Sequence, residues 1–181
     1  MRVIAGEAKG RSLVVARGGG TRSATDRIRE TLFAILADRV EEARVLDLFA
    51  GAGTLGIEAL SRGAARATFV DRAPEAIAAL RRNLATTKFE DRAEVVRSDV
   101  PAFLAGLIGE YDVVFCDPPF ADVPLLGRVL ASDRLRGAAA QGLVVARVLR
   151  KHPPSLPDGL RVARERVIGE ESLLLLEYIP A

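Results

Sequence analysis

From residue 44 onward, short apolar runs alternate with stretches of helical periodicity, and this alternation limits the possible fold more than any other feature. The apolar runs have the length of strands, and the segments between them carry apolar residues at helical spacing. Such repetition predicts an α/β fold: a doubly wound, mostly parallel, Rossmann-like sheet with helices on both faces. We expect strands at 45–49, 67–71, 93–97, 111–116 and 142–149, and helices at 54–61, from Pro74, at 100–108 and at 123–130.

The two ends of the chain add further elements to this sheet. The last two β-prone runs, 160–168 and 172–179, predict an antiparallel pair at one edge, which gives seven strands. At the N-terminus, runs at 2–5 and 12–16 flank a glycine-containing turn and predict a β-hairpin. An amphipathic helix follows, with Ser23 or Thr25 as its cap. We therefore expect a basic hairpin and glycine-rich joint over 1–20 and the main domain over 21–181.

Composition excludes several classes of protein. A chain of 181 residues suits one domain, and no run of about 20 apolar residues is present for a membrane helix. A single cysteine, Cys116, and a single histidine, His152, rule out an internal disulfide and a zinc site of the usual kind. We expect a cytoplasmic, metal-free protein, with Cys116 as a small core residue. Residues 1–29 carry seven Lys/Arg against two acids, an asymmetry that suits a polyanionic partner such as RNA or DNA.

The loop after the first predicted strand contains Gly51, Gly53 and Gly56 in the G-x-G-x-x-G spacing of dinucleotide-binding proteins. Asp71 lies 20 residues beyond Gly51, at the end of the second predicted strand, where a ribose-binding carboxylate belongs. Taken alone, this pattern allows a nicotinamide cofactor, S-adenosylmethionine, or a corner that needs glycine for geometry only.

Asp47 favours S-adenosylmethionine among these alternatives. A carboxylate four residues before the first glycine would lie near the loop mouth and repel a pyrophosphate, whereas it could pair with the methionine ammonium directly or through water. Asp71 would then accept the ribose hydroxyls, and Asp99 and Ser98 would meet the adenine amino group. The predicted cofactor site also includes Phe49, Ala50, Gly51, Gly53, Arg72 and Asp117.

The fourth predicted strand runs directly into Asp117-Pro118-Pro119-Phe120. Two prolines fix two φ angles and make the turn stiff. An Asp117 oxygen and the Pro118 carbonyl could accept both hydrogens of an exocyclic amine, leaving the nitrogen lone pair for in-line displacement on a methyl group. Phe120 would stack on the base, a contact worth about 1–3 kcal/mol. These four residues predict methylation of a base amino group and do not choose between adenine and guanine.

Across nearly its whole length the chain resembles the bacterial 16S rRNA guanine-N2 methyltransferases of the RsmD type. The likeness is carried by the segments 2–6, 10–11, 25–33, 47–53, 55–64 and 117–120. It implies methyl transfer from S-adenosylmethionine to N2 of one guanine of 16S rRNA in a 30S particle or assembly intermediate, by a protein expected to be a monomer. It also implies that Thr25 and Arg27 approach the methionine part of the cofactor. The basic residues expected to contact rRNA are Arg2, Lys9, Arg11 and Arg22.

Two positions depart from the pattern of that family. Ser23-Ala24 stands where the family usually has Pro-Thr, which affects any cofactor contact from these positions. Ala146-Arg147 stands where the fifth strand often ends with glutamate, and we expect it to alter the acceptor-side rim without touching the catalytic turn. DNA adenine-N6 methylation and a non-catalytic RNA-binding assembly factor remain as alternatives, although 181 residues leave little room for a separate DNA-recognition domain.

Overall fold

The computed structural model of the chain describes residues 1–15, 26–118 and 122–180. These residues form a seven-stranded sheet with helices on both faces. The strands are β1 Arg44–Leu48, β2 Arg66–Asp71, β3 Ala93–Arg97, β4 Val113–Cys116, β5 Leu143–Leu149, β6 Leu160–Ile168 and β7 Glu171–Tyr178. The helices are α1 Asp26–Leu36, α2 Thr54–Ser61, α3 Pro74–Thr87, α4 Val100–Ala105, α5 Val123–Leu130 and α6 Asp133–Ala138, with 3₁₀ turns at Ala37–Val40 and Glu90–Arg92.

The strand order is β3-β2-β1-β4-β5-β7-β6, with β1 to β5 parallel and β7 antiparallel to both of its neighbours. This confirms the predicted doubly wound, mostly parallel fold and the antiparallel pair at one edge. The last strand lies inside the sheet, because its Leu173–Leu176 run is buried and needs cover on both faces. Strand β6 forms the edge, where the exposed Arg164 and Arg166 oppose pairing with another chain.

Side chains of successive strand residues alternate between the two faces and build two separate cores. In β4, Val113 and Phe115 belong to the core under α1, α2 and α3, which we call the first face. Val114 and Cys116 belong to the core under α4, α5 and α6, the second face. Cys116 is fully buried and burial raises the pKa of its thiol, so it stays neutral, as expected of a small core residue.

Most predicted elements lie within one or two residues of their observed bounds. The helix expected over 100–108 ends at Ala105, because Gly106 follows as its C-cap. The strand expected from residue 111 begins at Val113. Helix α6 was not predicted, since six residues are too few to establish a helical period. No helix among the described residues is long and apolar enough to cross a membrane.

The N-terminal segment is a short, irregular hairpin, and neither run forms a regular strand among the described residues. Arg2 and Ser12 make an isolated antiparallel bridge, and the amides of Val3 and Leu13 donate to the carbonyls of Arg11 and Met1 at 3.0 and 2.8 Å. The amides of Ile4 and Ala5 donate instead to the Glu58 carboxylate of α2, at 2.8 and 3.0 Å, so they are unavailable to a partner strand. The segment thus packs onto α2 and contributes buried side chains to the first-face core. The glycine joint at 18–20 and the end of the second run lie outside the described residues.

Candidate active site

The candidate site lies at the carboxyl ends of β1 and β4. Strands β1, β2 and β3 extend the sheet to one side and β4 and β5 to the other, so the order reverses between β1 and β4. Parallel α/β sheets bind their ligands at such a switch point. Asp47 lies in β1 and Asp117 directly follows β4, so the fold brings together the two carboxylates that the sequence singled out.

The loop that follows β1 is held in an unusual backbone conformation. Phe49, Gly51 and Gly53 have φ of 62°, 55° and 78°, a region that L residues rarely adopt. A Cβ added to Gly53 would lie 2.3 Å from Leu80 Cδ1, so the site needs glycine for packing as well. A Cβ added to Gly51 would meet nothing within 4 Å. Of these two glycines, Gly51 is therefore the one that borders open space where a ligand can approach the backbone.

The third glycine of the G-x-G-x-x-G spacing has a structural role. A Cβ added to Gly56 would lie 2.3 Å from Phe69 Cε1, because α2 crosses β2 closely at this point. The Gly56 amide donates to Asp47 Oδ2 at 2.9 Å. This contact fixes the start of α2 to the end of β1 and sets the shape of the glycine loop.

Asp47 lies beneath the loop rather than at its mouth, with only 2% of its surface exposed. Burial is the largest influence on this carboxyl and raises its pKa to about 7. The hydrogen bond from Gly56 lowers the pKa, while the negative charges of Asp117 and Asp71 raise it. A nearby cation would relieve this unfavourable charge, so the protein contains a carboxylate suited to a positively charged ligand.

Asp71, at the end of β2, is tied to the glycine loop and to the start of α3. Its Oδ2 accepts from the Gly51 amide at 2.8 Å and its Oδ1 from the Ala73 amide at 2.9 Å. A carboxylate offers about two acceptor positions on each oxygen, so capacity for hydroxyl groups remains. Ser98 lies next to it, because the Ser98 amide donates to the Asp71 carbonyl at 3.1 Å. The predicted ribose residue and one predicted adenine residue are thus adjacent.

The outer rim of this half of the site is polar and open. Arg72 and Asp99 are both exposed, and Arg72 Nη1 lies 3.8 Å from Asp99 Oδ1. Arg27, on the first turn of α1, is also exposed. These positions are accessible to a ligand or to solvent.

Asp117 forms an ion pair that the sequence did not predict. Arg147 Nε, from β5, lies 2.9 Å from Asp117 Oδ1, and Arg147 Nη1 lies 3.4 Å from Glu171 Oε2. Burial raises the pKa of Asp117, Arg147 opposes that rise, and Glu171 adds to it. The expectation that the Ala146-Arg147 departure would not touch the catalytic turn is therefore wrong. Strand register explains the contact, because Ala146 pairs with Cys116 and places the next residue beside Asp117.

These charged residues share one face of the sheet. Asp47, Asp117 and Arg147 follow the alternation of Val45, Phe115 and Val145, which line the first-face core. Asp71 and Glu171 follow the same alternation in β2 and β7. Arg97, which pairs with Asp71 in the register of β2 and β3, follows this alternation too, so four carboxylates face two guanidinium groups in this row. The arrangement therefore favours a cationic ligand with hydroxyl groups over a pyrophosphate.

Several predicted residues lie outside the described part of the chain. They are Thr25, Ser23, Ala24, Arg22, Pro119 and Phe120. Pro118, the last described residue of the turn, is buried. Among the basic residues of the N-terminal segment, Arg2 and Lys9 are exposed, while Arg11 Nη1 donates to the Thr86 carbonyl at 2.5 Å. No group of three or more potential metal ligands occurs among the described residues.

Sequence reasoning missed three polar residues that build the site or its support. Arg147 donates a hydrogen bond to Asp117, and the Glu58 carboxylate accepts hydrogen bonds from two backbone amides of the N-terminal segment. Asn83 of α3 is fully buried and links two distant segments, since its Nδ2 donates to the carbonyls of Ala52 and Val14, both at 2.8 Å. The one sequence feature that indicates such a role is a polar side chain at a helix or strand position whose spacing predicts burial in the core.

Comparison with known proteins finds relatives over nearly the whole chain. The family model described as conserved hypothetical protein 95 matches residues 1–177. The chain is 38% identical over 178 residues to ribosomal RNA small subunit methyltransferase D of Escherichia coli (strain K12). The aligned region covers 98% of this chain and 89% of that protein. A solved Escherichia coli structure has a TM-score of 0.86 at 37% identity, covering 99% of this chain and 98% of that one. A solved structure from Thermus thermophilus has a TM-score of 0.79 at 32% identity, covering 98% and 99%.

Proposed function

Because the chain belongs to the conserved hypothetical protein 95 family, we propose that it transfers a methyl group from S-adenosylmethionine to N2 of a guanine in small-subunit rRNA. The observation that carries the proposal is the position of Asp117. It directly follows the central strand β4 at the switch point of the sheet, beside the buried carboxylate of Asp47 and the glycine loop. The similarity to a small-subunit rRNA methyltransferase over nearly the whole chain supports rRNA as the acceptor.

The residues around the loop suit S-adenosylmethionine, which supplies an electrophilic methyl group on a sulfonium centre. Asp71 would accept hydrogen bonds from the ribose hydroxyls, and the backbone at Gly51 borders the open space that the ligand needs. Asp47 would compensate the methionine ammonium, through water or through the oxygen that Gly56 does not use. Ser98 and Asp99 would meet the adenine. Lining positions are assigned to Thr25, Arg27, Phe49, Ala50, Gly53 and Arg72.

The acceptor amine would be oriented by the turn after β4. Asp117 Oδ2 accepts no hydrogen bond from the described residues, so it can accept one amine hydrogen, and the Pro118 carbonyl can accept the other. The nitrogen lone pair would then form the new N–C bond as the methyl–sulfur bond breaks with its electron pair left on sulfur, and the nitrogen would lose its extra proton to water after attack. Pro119 stiffens the turn, and Phe120 would stack on the base, which has to be unstacked from the RNA to enter.

The N-terminal segment would supply part of the RNA contact. Arg2 and Lys9 are exposed, and with Arg11 and Arg22 they give this part of the chain an excess of positive charge. We further propose that the protein acts in the cytoplasm as a monomer without a metal ion, on a 30S particle or an assembly intermediate.

The decisive experiment compares the unaltered protein with Asp117→Ala. Tritium transfer from labelled S-adenosylmethionine is measured on 30S particles, naked rRNA and duplex DNA, and digests of the product are analysed by mass spectrometry. We expect N2-methylguanine in rRNA, and a loss of about a hundredfold or more in the variant with cofactor affinity kept within a few-fold. The matched control is Asp112→Ala, which removes an exposed aspartate from the opposite end of the sheet.

Each other outcome would replace the proposal by a named alternative. Transfer to adenine of duplex DNA would identify a DNA N6 methyltransferase. Failure of the unaltered protein to bind S-adenosylmethionine at millimolar concentration would favour a non-catalytic RNA-binding factor. Normal turnover by Asp117→Ala would remove this aspartate from the reaction.

A further inference from the structure

Arg147 is a buried cation in the middle of the sheet, and its position needs a reason. Only 7% of its side chain is exposed, although it lies in strand β5 among apolar neighbours. Burying a guanidinium costs free energy unless it is paired and hydrogen-bonded. Its charge is paired here with Asp117 and Glu171, which lie on either side of it.

The sheet itself sets this geometry. Cys116 and Ala146 are paired in the parallel register of β4 and β5, so the residues that follow them lie side by side on the first face. On the other side of β5, Arg147 pairs with Leu173 of β7, and Glu171 lies two residues earlier in that strand. The guanidinium of Arg147 in β5 therefore contacts both the proposed catalytic carboxylate after β4 and the Glu171 carboxylate of β7.

The charges that face Asp117 come from several elements. Glu171 of β7 is negative, Asp47 of β1 is a carboxyl whose pKa is raised to about 7, and Cys116 of β4 is a buried neutral thiol. Arg147 of β5 is the cation among the described groups that act on Asp117. Without it, burial and the negative charge of Glu171 would both favour the protonated acid. A protonated carboxyl offers a donor where the acceptor amine needs an acceptor.

We propose that Arg147 is a positioning residue for methyl transfer, holding Asp117 through Oδ1 so that Oδ2 stays available to accept from the amine of the base. The inference rests on the proposed function and adds to it a residue that acts on the acceptor side through Asp117. Glu171 in turn holds the far end of the guanidinium.

The test uses two variants that should move the pH profile in opposite directions. Arg147→Met removes the favourable cation, so the pKa of Asp117 rises and the acid limb of kcat/KM moves to higher pH. Glu171→Gln removes a carboxylate that disfavours ionised Asp117, so the acid limb moves to lower pH. In Arg147→Met we also expect kcat to fall by about a hundredfold, the scale of a misplaced reacting group, with cofactor affinity unchanged by calorimetry.

A second readout does not depend on turnover. The carboxyl ¹³C shift of Asp117, assigned with Asp117→Asn in protein labelled at aspartate, is titrated in each variant without cofactor. The matched control is Arg161→Met, which breaks an exposed pair with Glu177 at 2.8 Å on the outer edge strand. That change also removes one arginine charge and an ion pair between neighbouring strands, but it should leave both the titration and the profile as they are.

Opposite shifts in the two variants, in both readouts, support the role, because a contact that only stabilised the sheet would not produce them. An unchanged profile and titration in Arg147→Met would overturn it, as would a loss explained wholly by weaker cofactor binding. If Arg147→Met fails to fold, Glu171→Gln decides alone, and an acid limb that stays in place or moves upward overturns the proposal. Absence of transfer by the unaltered protein would instead refute the proposed function itself.

Discussion

Replacing Asp47 with asparagine should stabilise the free protein and weaken its cofactor site at the same time. Asparagine keeps an oxygen for the Gly56 amide but carries no charge. Between pH 3.8 and about 7 the native state holds a proton on Asp47 that the unfolded chain has released, so stability falls as the pH rises through that interval. Because asparagine does not titrate, Asp47→Asn should lack this loss of stability with rising pH.

The size of the effect follows from the pKa values. The pKa of Asp47 is 3.8 in the unfolded chain and about 7 in the native state. At 1.36 kcal/mol for each pH unit, this difference lowers the free energy of unfolding by about 4 kcal/mol above pH 8. At pH 5 the same relation gives a loss of unfolding free energy of about 1.5 kcal/mol. The advantage of Asp47→Asn over the unaltered protein should therefore grow by about 2.5 kcal/mol between pH 5 and pH 8.5.

Urea unfolding at the two pH values measures this advantage. The control is Asp112→Asn, since Asp112 is exposed and also accepts one backbone hydrogen bond, from Arg44 at 2.7 Å. We expect its stability relative to the unaltered protein to be the same at both pH values. An Asp47→Asn advantage that grows by less than about 1 kcal/mol would refute the argument from burial.

The same variant tests the cofactor role by calorimetry. S-adenosylmethionine should bind the unaltered protein more tightly as the pH rises through 7, with proton release, because the ammonium favours ionised Asp47. In Asp47→Asn the affinity should be lower and this component of proton release absent. Equal affinity and equal proton release in the two proteins would exclude an interaction between Asp47 and the ammonium.

Three further predictions concern the loop and its support. Asp71→Ala should weaken S-adenosylmethionine binding about tenfold or more by calorimetry, since the side chain holds Gly51 and is assigned to the ribose; an unchanged dissociation constant would contradict that. Gly53→Ala should lower unfolding free energy by about 2 kcal/mol or more through strain and overpacking, whereas Gly51→Ala should mainly reduce cofactor affinity; equal unfolding midpoints in urea would count against the distinction. Glu58→Gln should lower the free energy of unfolding in urea by about 3 kcal/mol, because buried Arg29 loses the buried one of its two carboxylate partners and keeps the exposed Asp26.

The sequence determined the fold class because local pattern and layer architecture agree throughout the main domain. Short β-prone runs such as 93–97 and 160–168 coincide with the strands Ala93–Arg97 and Leu160–Ile168. Pro74 starts α3 as a helix-initiating residue should. Since parallel strands deliver their carboxyl ends to one edge, the placement of Asp47 and Asp117 at the same edge of the sheet also followed from the sequence, and the strand order then put β1 beside β4.

What the sequence left open depends on contacts between residues far apart in the chain. That Asp47 lies under the loop, that β7 lies inside the sheet, and that Glu58 takes the amides of Ile4 and Ala5 could not be derived from local periodicity. Arg147 is the clearest case. Sequence pattern marks it only as a polar residue in an apolar strand, and the register between β4 and β5 alone puts it 2.9 Å from Asp117. Charge and burial act through space, so the chemistry of the carboxylate was decided by tertiary structure.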